Sequence, residues 1–228
     1  MGVGKITIKD NGVVQWVGRL ADHTLAGQST TISKNGTWPF FSRLYGNTGV
    51  ILGMVTQPAS PPADYDLSAL LNWSKPTSAS SLTYPLGFKV TQAKLFGAKY
   101  THPADSTTRV LSSFDAADNK GTITIDDGNL LSPLVARFKL KPDNTTKFDL
   151  PNPQNITLNI RPMDHPDDGL FEGTFIHPIS GKVTNVDGVV FQKSGKQQMI
   201  GTFLGKSESG VQRHTGRVII QALPPAGP

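Results

Sequence analysis

Hydrophobic and polar positions alternate with a period of two along most of this chain. Ile6 and Ile8 are interleaved with Lys5, Thr7 and Lys9, and Val14, Trp16, Gly18 and Leu20 with Gln15, Val17 and Arg19. Ile123 and Ile125 alternate with Thr122 and Thr124, and Ile156, Leu158 and Ile160 with Thr157, Asn159 and Arg161. Successive side chains of a strand point to opposite faces, so each run reads as an antiparallel strand with one buried face. The pattern predicts strands near 4–9, 13–20, 26–33, 37–45, 49–57, 67–74, 87–99, 121–126, 130–140, 155–161, 170–177, 182–193, 197–204 and 211–221. Between them stand Asp10-Asn11-Gly12, Asn35-Gly36, Asn47-Thr48-Gly49, Asp126-Asp127-Gly128-Asn129, Asp187-Gly188 and Ser194-Gly195. These residues accept positive φ cheaply and predict hairpin turns. No 3.6-residue pattern exceeds two turns; Asp66 to Leu71 allows one helical turn, although Leu67 to Trp73 also alternates as a strand. Pro58, Pro61 and Pro62 mark a stiff loop, and residues 100–120 read as a long irregular one.

The two ends of the chain repeat a pattern. Trp16, Gly18 and Leu20 precede Lys34-Asn35-Gly36 and then Gly46; Phe171, Gly173 and Phe175 precede Lys193-Ser194-Gly195 and then Gly205. The expected architecture is therefore all-β: an antiparallel, barrel-like domain with an internal pseudo-two-fold duplication, the alternative being a two-sheet β-sandwich. One domain is expected over 1–228, with duplicated units at about 12–57 and 169–221 and a middle segment at 63–162. The two units are expected to meet and seal a shared interior, with Trp16 and Phe171 both inside it. Either arrangement hides strand edges.

Composition narrows the chemistry. The 228 residues contain no cysteine, which excludes disulfides, thiolate metal sites and cysteine nucleophiles. Gly (23) and Pro (17) are abundant, as many short strands with tight turns require. No apolar run is long enough for a membrane-spanning helix, and no aromatic-girdled lipid band can be traced, so a soluble barrel is expected. Met1-Gly2-Val3-Gly4 carries no apolar segment of the signal-peptide kind. The net charge of +5 is not clustered. Val135, Arg137, Lys139 and Lys141 alternate with Leu134, Ala136, Phe138 and Leu140, which describes a half-buried strand before it describes a nucleic-acid site.

Several stretches resemble a known kind of domain: Ser33-Lys34-Asn35-Gly36-Thr37-Trp38-Pro39, Leu71-Asn72-Trp73, Tyr84-Pro85-Leu86-Gly87-Phe88, Gly188-Val189-Val190-Phe191-Gln192-Lys193 and Gly201-Thr202-Phe203-Leu204-Gly205. Together they are similar to an uncharacterised β-rich domain found near the C-terminal end of very large exported bacterial proteins. The resemblance spans nearly the whole chain, and its motifs are structural. It implies an extracellular or cell-envelope setting and a module within a longer polypeptide, without active residues.

Catalytic signatures are sparse. There is no Gly-x-Ser-x-Gly elbow, and Gly205-Lys206-Ser207-Glu208-Ser209-Gly210 has the wrong spacing. No phosphate-binding glycine motif precedes a helix. His23, His102, His165, His177 and His214 form no local metal pair. The acidic stretch around Asp164, Asp167 and Asp168 offers hard oxygen ligands for Ca2+, with a plain turn as the alternative. Only Glu172 and Glu208 represent glutamate, which disfavours paired-carboxylate chemistry. Trp38, Trp73, Tyr84 and Tyr100 are the candidate ligand-binding rings, a core position being the competing reading for the two tryptophans. The function expected is a non-catalytic structural, adhesive or binding module, with a carbohydrate or cell-envelope polymer and neighbouring domains as partners, no nucleic acid and no cofactor. The alternative is a hydrolase acting on an ester or polymer, its site assembled from distant strand ends. A barrel with a small apolar ligand in its mouth is a third reading.

Overall fold

The computed structural model describes residues 1–160, 169–205 and 212–224. Strands make up 53% of the described residues and helix 2%, so the protein is all-β, as the alternation predicts. Seven strands form an N-terminal meander: β1 (Val3–Ile8), β2 (Val13–Arg19), β3 (Leu25–Thr31), β4 (Thr37–Leu44), β5 (Gly49–Thr56), β6 (Leu67–Lys75) and β7 (Phe88–Gly97). They make two antiparallel sheets, β1-β2-β3 and β4-β5-β6-β7. The Asn35–Gly36 turn joins them, with Gly36 at a φ of 73° that glycine adopts without penalty. Gln28 ties β3 to β4 by donating to the Pro39 carbonyl and accepting from the Phe41 amide. Inward rows from both sheets meet in one core that includes Val14, Leu20, Trp38, Phe40, Val55 and Leu71.

A short helix, α1 (Ser113–Ala116), leads into the second body. Its strands are β8 (Lys120–Asp127), β9 (Leu134–Leu140), β10 (Thr146–Phe148), β11 (Thr157–Ile160), β12 (Leu170–Ile176), β13 (Val183–Lys193), β14 (Lys196–Leu204) and β15 (Thr215–Ala222). The sheet order is β10-β9-β8-β15-β14-β13-β12-β11. Every strand pairs with its neighbour in sequence except across one seam, and β15 returns to pair with β8. At the seam the Thr146 hydroxyl donates to the Leu158 carbonyl at 3.0 Å, so the eight strands form a nearly closed antiparallel barrel. Its interior is filled by side chains such as Phe138, Phe171, Phe175, Met199, Phe203 and Ile220.

The duplication has a physical cause at its glycines. Gly18 in β2 lies where a Cβ would strike the Val3 carbonyl of β1; Gly173 in β12 lies where a Cβ would strike the Thr157 carbonyl of β11. β2 to β5 correspond to β12 to β15. Phe40 and Met199 occupy equivalent buried positions, as do Leu44 and Phe203, which pair across the sheet with Gly49 and Gly216. The copies differ in one respect: β3 and β4 lie in different sheets, whereas their counterparts β13 and β14 are paired neighbours in one sheet.

Two expectations need correction. The copies do not seal one interior, because each is completed by its own neighbouring strands and encloses its own core. Phe171 is buried as expected, and Trp16 is half-buried with its edge against Phe40, 4.8 Å between ring centres. Asp187-Gly188 is not a turn but the middle of β13, paired with β12 and β14. Gly188 is small there because the Phe171 ring fills the space its Cβ would take. The stretch from Leu67 is a strand, as its alternation predicts, and not the helical turn that Asp66 to Leu71 also allows.

The two bodies touch along β1, which lies against β13 and β14. Arg19 pairs with Asp187 at 2.9 Å and Lys193 with Asp66 at 2.9 Å. The Thr202 hydroxyl donates to the Met1 carbonyl, the Thr215 hydroxyl to the Ala21 carbonyl, and the Arg213 amide to the Leu82 carbonyl.

Candidate functional site

In an up-and-down meander, alternate connections fall at the same end. The loops after β2, β4 and β6 therefore converge at one end of the N-terminal body, where they line a cleft of about 590 Å³. Leu204, at the end of β14, closes one side. Asp22, His23 and Thr24 come from the first loop, Tyr45 and Thr48 from the second, and Lys75 to Thr83 from the third.

A polar cluster forms the floor. The side chains of Asp22 and Lys75 are 0% and 7% exposed, with Nζ 3.2 Å from Oδ2. Lys75 also donates to the Thr83 carbonyl at 2.7 Å and sits 5.0 Å from the centre of the Tyr45 ring. The Tyr45 hydroxyl donates to Oδ2 of Asp22 at 2.6 Å, and the Thr24 amide donates to Oδ1 at 3.1 Å. Burial, reinforced by the bond to the Asp22 carboxylate, pushes the Tyr45 hydroxyl well above the usual phenol range, so it remains a donor. The lysine and aspartate charges cancel locally, and the remaining walls carry His23, Pro76 and Leu204 together with the hydroxyls of Thr24, Thr48, Thr77, Ser78, Ser81 and Thr83.

The two charged floor residues have a signal in the sequence. Leu67, Ala69, Leu71 and Trp73 point inward along β6, and Lys75 is next in that row; Val14, Trp16, Gly18 and Leu20 do the same along β2, and Asp22 follows them. A charge that continues an apolar row must be paired when it is buried. Alternation alone identifies both residues but cannot bring them together across 53 positions.

The candidate rings fare differently. Trp38 is 1% exposed and Trp73 is 9% exposed, both in the N-terminal core, so neither offers a face to a ligand. Trp38 is inward because it shares the β4 row with Phe40 and Leu44. Tyr84 is half-buried with its ring edge-on to Phe88, which in turn packs on Trp73. It adjoins Thr83 on the cleft wall without lining the cleft. Tyr100 packs against the other core, beside His102, and does not share the cleft. Asp164, Asp167 and Asp168 lie outside the described residues. Among the described residues, no group of three or more His, Asp or Glu is placed to hold a metal ion.

A second surface feature is the outer face of β4 to β7. Phe41, Leu52, Met54, Leu70 and Phe96 are all exposed there, and Met54 pairs directly with Leu70. Among the described residues, no helix is long and apolar enough to cross a membrane. No family model, curated protein or solved structure matches the chain.

Proposed function

We propose that the protein is a non-catalytic binding and adhesive module of a larger exported bacterial protein, working in an extracellular or cell-envelope setting. Its ligand is a neutral, hydroxyl-rich polymer of the polysaccharide class, held in the cleft at the end of the N-terminal meander. One observation carries this reading: the cleft walls present threonine and serine hydroxyls from three loops over a floor whose charges are already paired. The Thr48, Thr77 and Ser81 hydroxyls donate to backbone carbonyls within the chain, which leaves their lone pairs to accept from sugar hydroxyls, and a neutralised floor gives no advantage to an ionic ligand.

Affinity electrophoresis against a panel of neutral and charged polysaccharides tests the reading. Retention by at least one neutral polymer is expected, weakened about 2–12-fold by Thr48→Ala or Thr77→Ala, the worth of one hydrogen bond of about 0.5–1.5 kcal/mol. Both residues are exposed, so neither change disturbs a core. Absence of retention across the panel, or retention indifferent to both substitutions, overturns the proposal.

A further inference from the structure

We propose that Lys75 and Asp22 condense into an intramolecular amide, a covalent cross-link between the end of β6 and the loop after β2. This stands apart from the ligand proposed above: a cleft with an amide floor is as neutral as one with an ion pair.

The groups are arranged for the reaction rather than merely adjacent. Both side chains are taken out of water, which is costly for an ammonium and a carboxylate unless their charges are discharged or very well paired. The Lys75 nitrogen lies 3.2 Å from Oδ2, an ion-pair contact that holds the amine beside the carboxyl group it would attack. The Thr83 carbonyl accepts one of its protons and fixes its position. Each carboxyl oxygen already receives a donor: the Tyr45 hydroxyl at Oδ2 and the Thr24 amide at Oδ1. A donor at Oδ1 stabilises the negative charge that develops when a nucleophile adds to the carbon. The phenol at Oδ2 can pass a proton to the departing oxygen.

The atoms balance without a co-reactant. One proton moves from the Lys75 ammonium to Oδ2, leaving a neutral amine and a carboxylic acid. The amine lone pair attacks Cγ, the new C–N bond forms, and charge collects on Oδ1 beneath the Thr24 amide. A second proton leaves nitrogen and reaches Oδ2 through the Tyr45 hydroxyl, which takes one proton and gives one. The Cγ–Oδ2 bond breaks, water departs into the cleft, and nitrogen keeps its third proton as the amide N–H. Nothing is oxidised or reduced.

The placement also has a purpose. The bond would tie the three-stranded sheet of the N-terminal body to its four-stranded sheet, which share a core but whose bridging hairpin is at the opposite end. With no cysteine in the chain, a disulfide cannot do this.

Intact mass of the full chain under denaturing conditions, followed by proteolytic mapping, tests the proposal. The expected mass is one water below that of the sequence, with a branched peptide joining the segments that contain Asp22 and Lys75. Lys75→Met and Asp22→Ala should each restore the full mass of their own sequence, and Tyr45→Phe should lower the cross-linked fraction. The unsubstituted protein decides the matter even if the variants fold poorly. A full-length mass with Lys75 open to acylation after unfolding overturns the proposal, and so does loss of water without the branched peptide.

Discussion

Gly216→Ala isolates how tightly the C-terminal barrel is packed. Gly216 lies opposite Phe203, and the three atoms nearest to an added Cβ all belong to the Phe203 ring, closer than real Cβ contacts come. The ring has no room to retreat. It is fully buried, it meets Phe175 edge-on at 5.0 Å, and Gly128 is also placed against its tip. Gly216 does not have positive φ, so alanine fits its backbone and the cost is steric. Overpacking of this kind costs about 1–3 kcal/mol. Restricting the unfolded chain returns about 0.4–1 kcal/mol. With a ring this tightly held, the upper half of the overpacking range applies, about 2–3 kcal/mol, and the net loss is about 1–2.6 kcal/mol, or roughly 5–70-fold in the folded-to-unfolded ratio. For a chain of this length the melting temperature should fall by about 2–10 °C. Urea unfolding followed by far-ultraviolet circular dichroism gives the free energy. Phe203→Leu frees the contested space, so adding Gly216→Ala to it should cost at least about 1 kcal/mol less than adding it to the natural protein. Additive losses in that cycle, or a single variant within about 0.3 kcal/mol of the parent, would refute the account of a ring seated against glycine.

Three other outcomes follow from different parts of the molecule. Burial raises the affinity of Asp66 for its proton, but the Lys99 amide and the Lys193 ammonium outweigh it and hold the carboxyl below its usual value. As pH falls, the unfolded chain therefore binds the proton first. The stabilisation is complete above the usual aspartate range near pH 4 and is lost as the folded carboxyl titrates below it; urea midpoints from pH 6 to 3 should fall less steeply for Asp66→Asn than for the parent. Gly18→Ala and Gly173→Ala each drive a Cβ into a neighbouring strand's carbonyl, so both should destabilise by more than about 1 kcal/mol in the same unfolding assay. Leu70→Lys, on the exposed face of β6, should leave stability within about 0.5 kcal/mol and reduce binding of an apolar fluorescent dye.

Much of the fold is legible in the alternation because each strand buries one face. The rows through Ile123 and Ile125, and through Phe138 and Leu140, are buried as their spacing requires. β10 escapes because three residues are too few to show a period. Gly188 misleads because its smallness serves Phe171, a residue on another strand, and no local window records that. The candidate rings illustrate the same limit. Trp38 reads as either a ligand-binding ring or a core residue, and its place in the row with Phe40 puts it in the core. Lys75 and Asp22 are conspicuous within their own rows, but the loop geometry that joins them depends on the whole meander.

The order of strands in the second body has a consequence for biosynthesis. β8 is made before the other seven strands of its sheet, but the partner for its free edge, β15, is made after all of them. The first body is built wholly from neighbours and can assemble as it emerges. The second must hold an open ladder until β15 has emerged, and non-local pairing of that kind is slow and prone to capture by other chains. A stall before β15 would thus release a polypeptide with one mature body and one adhesive, unfinished body.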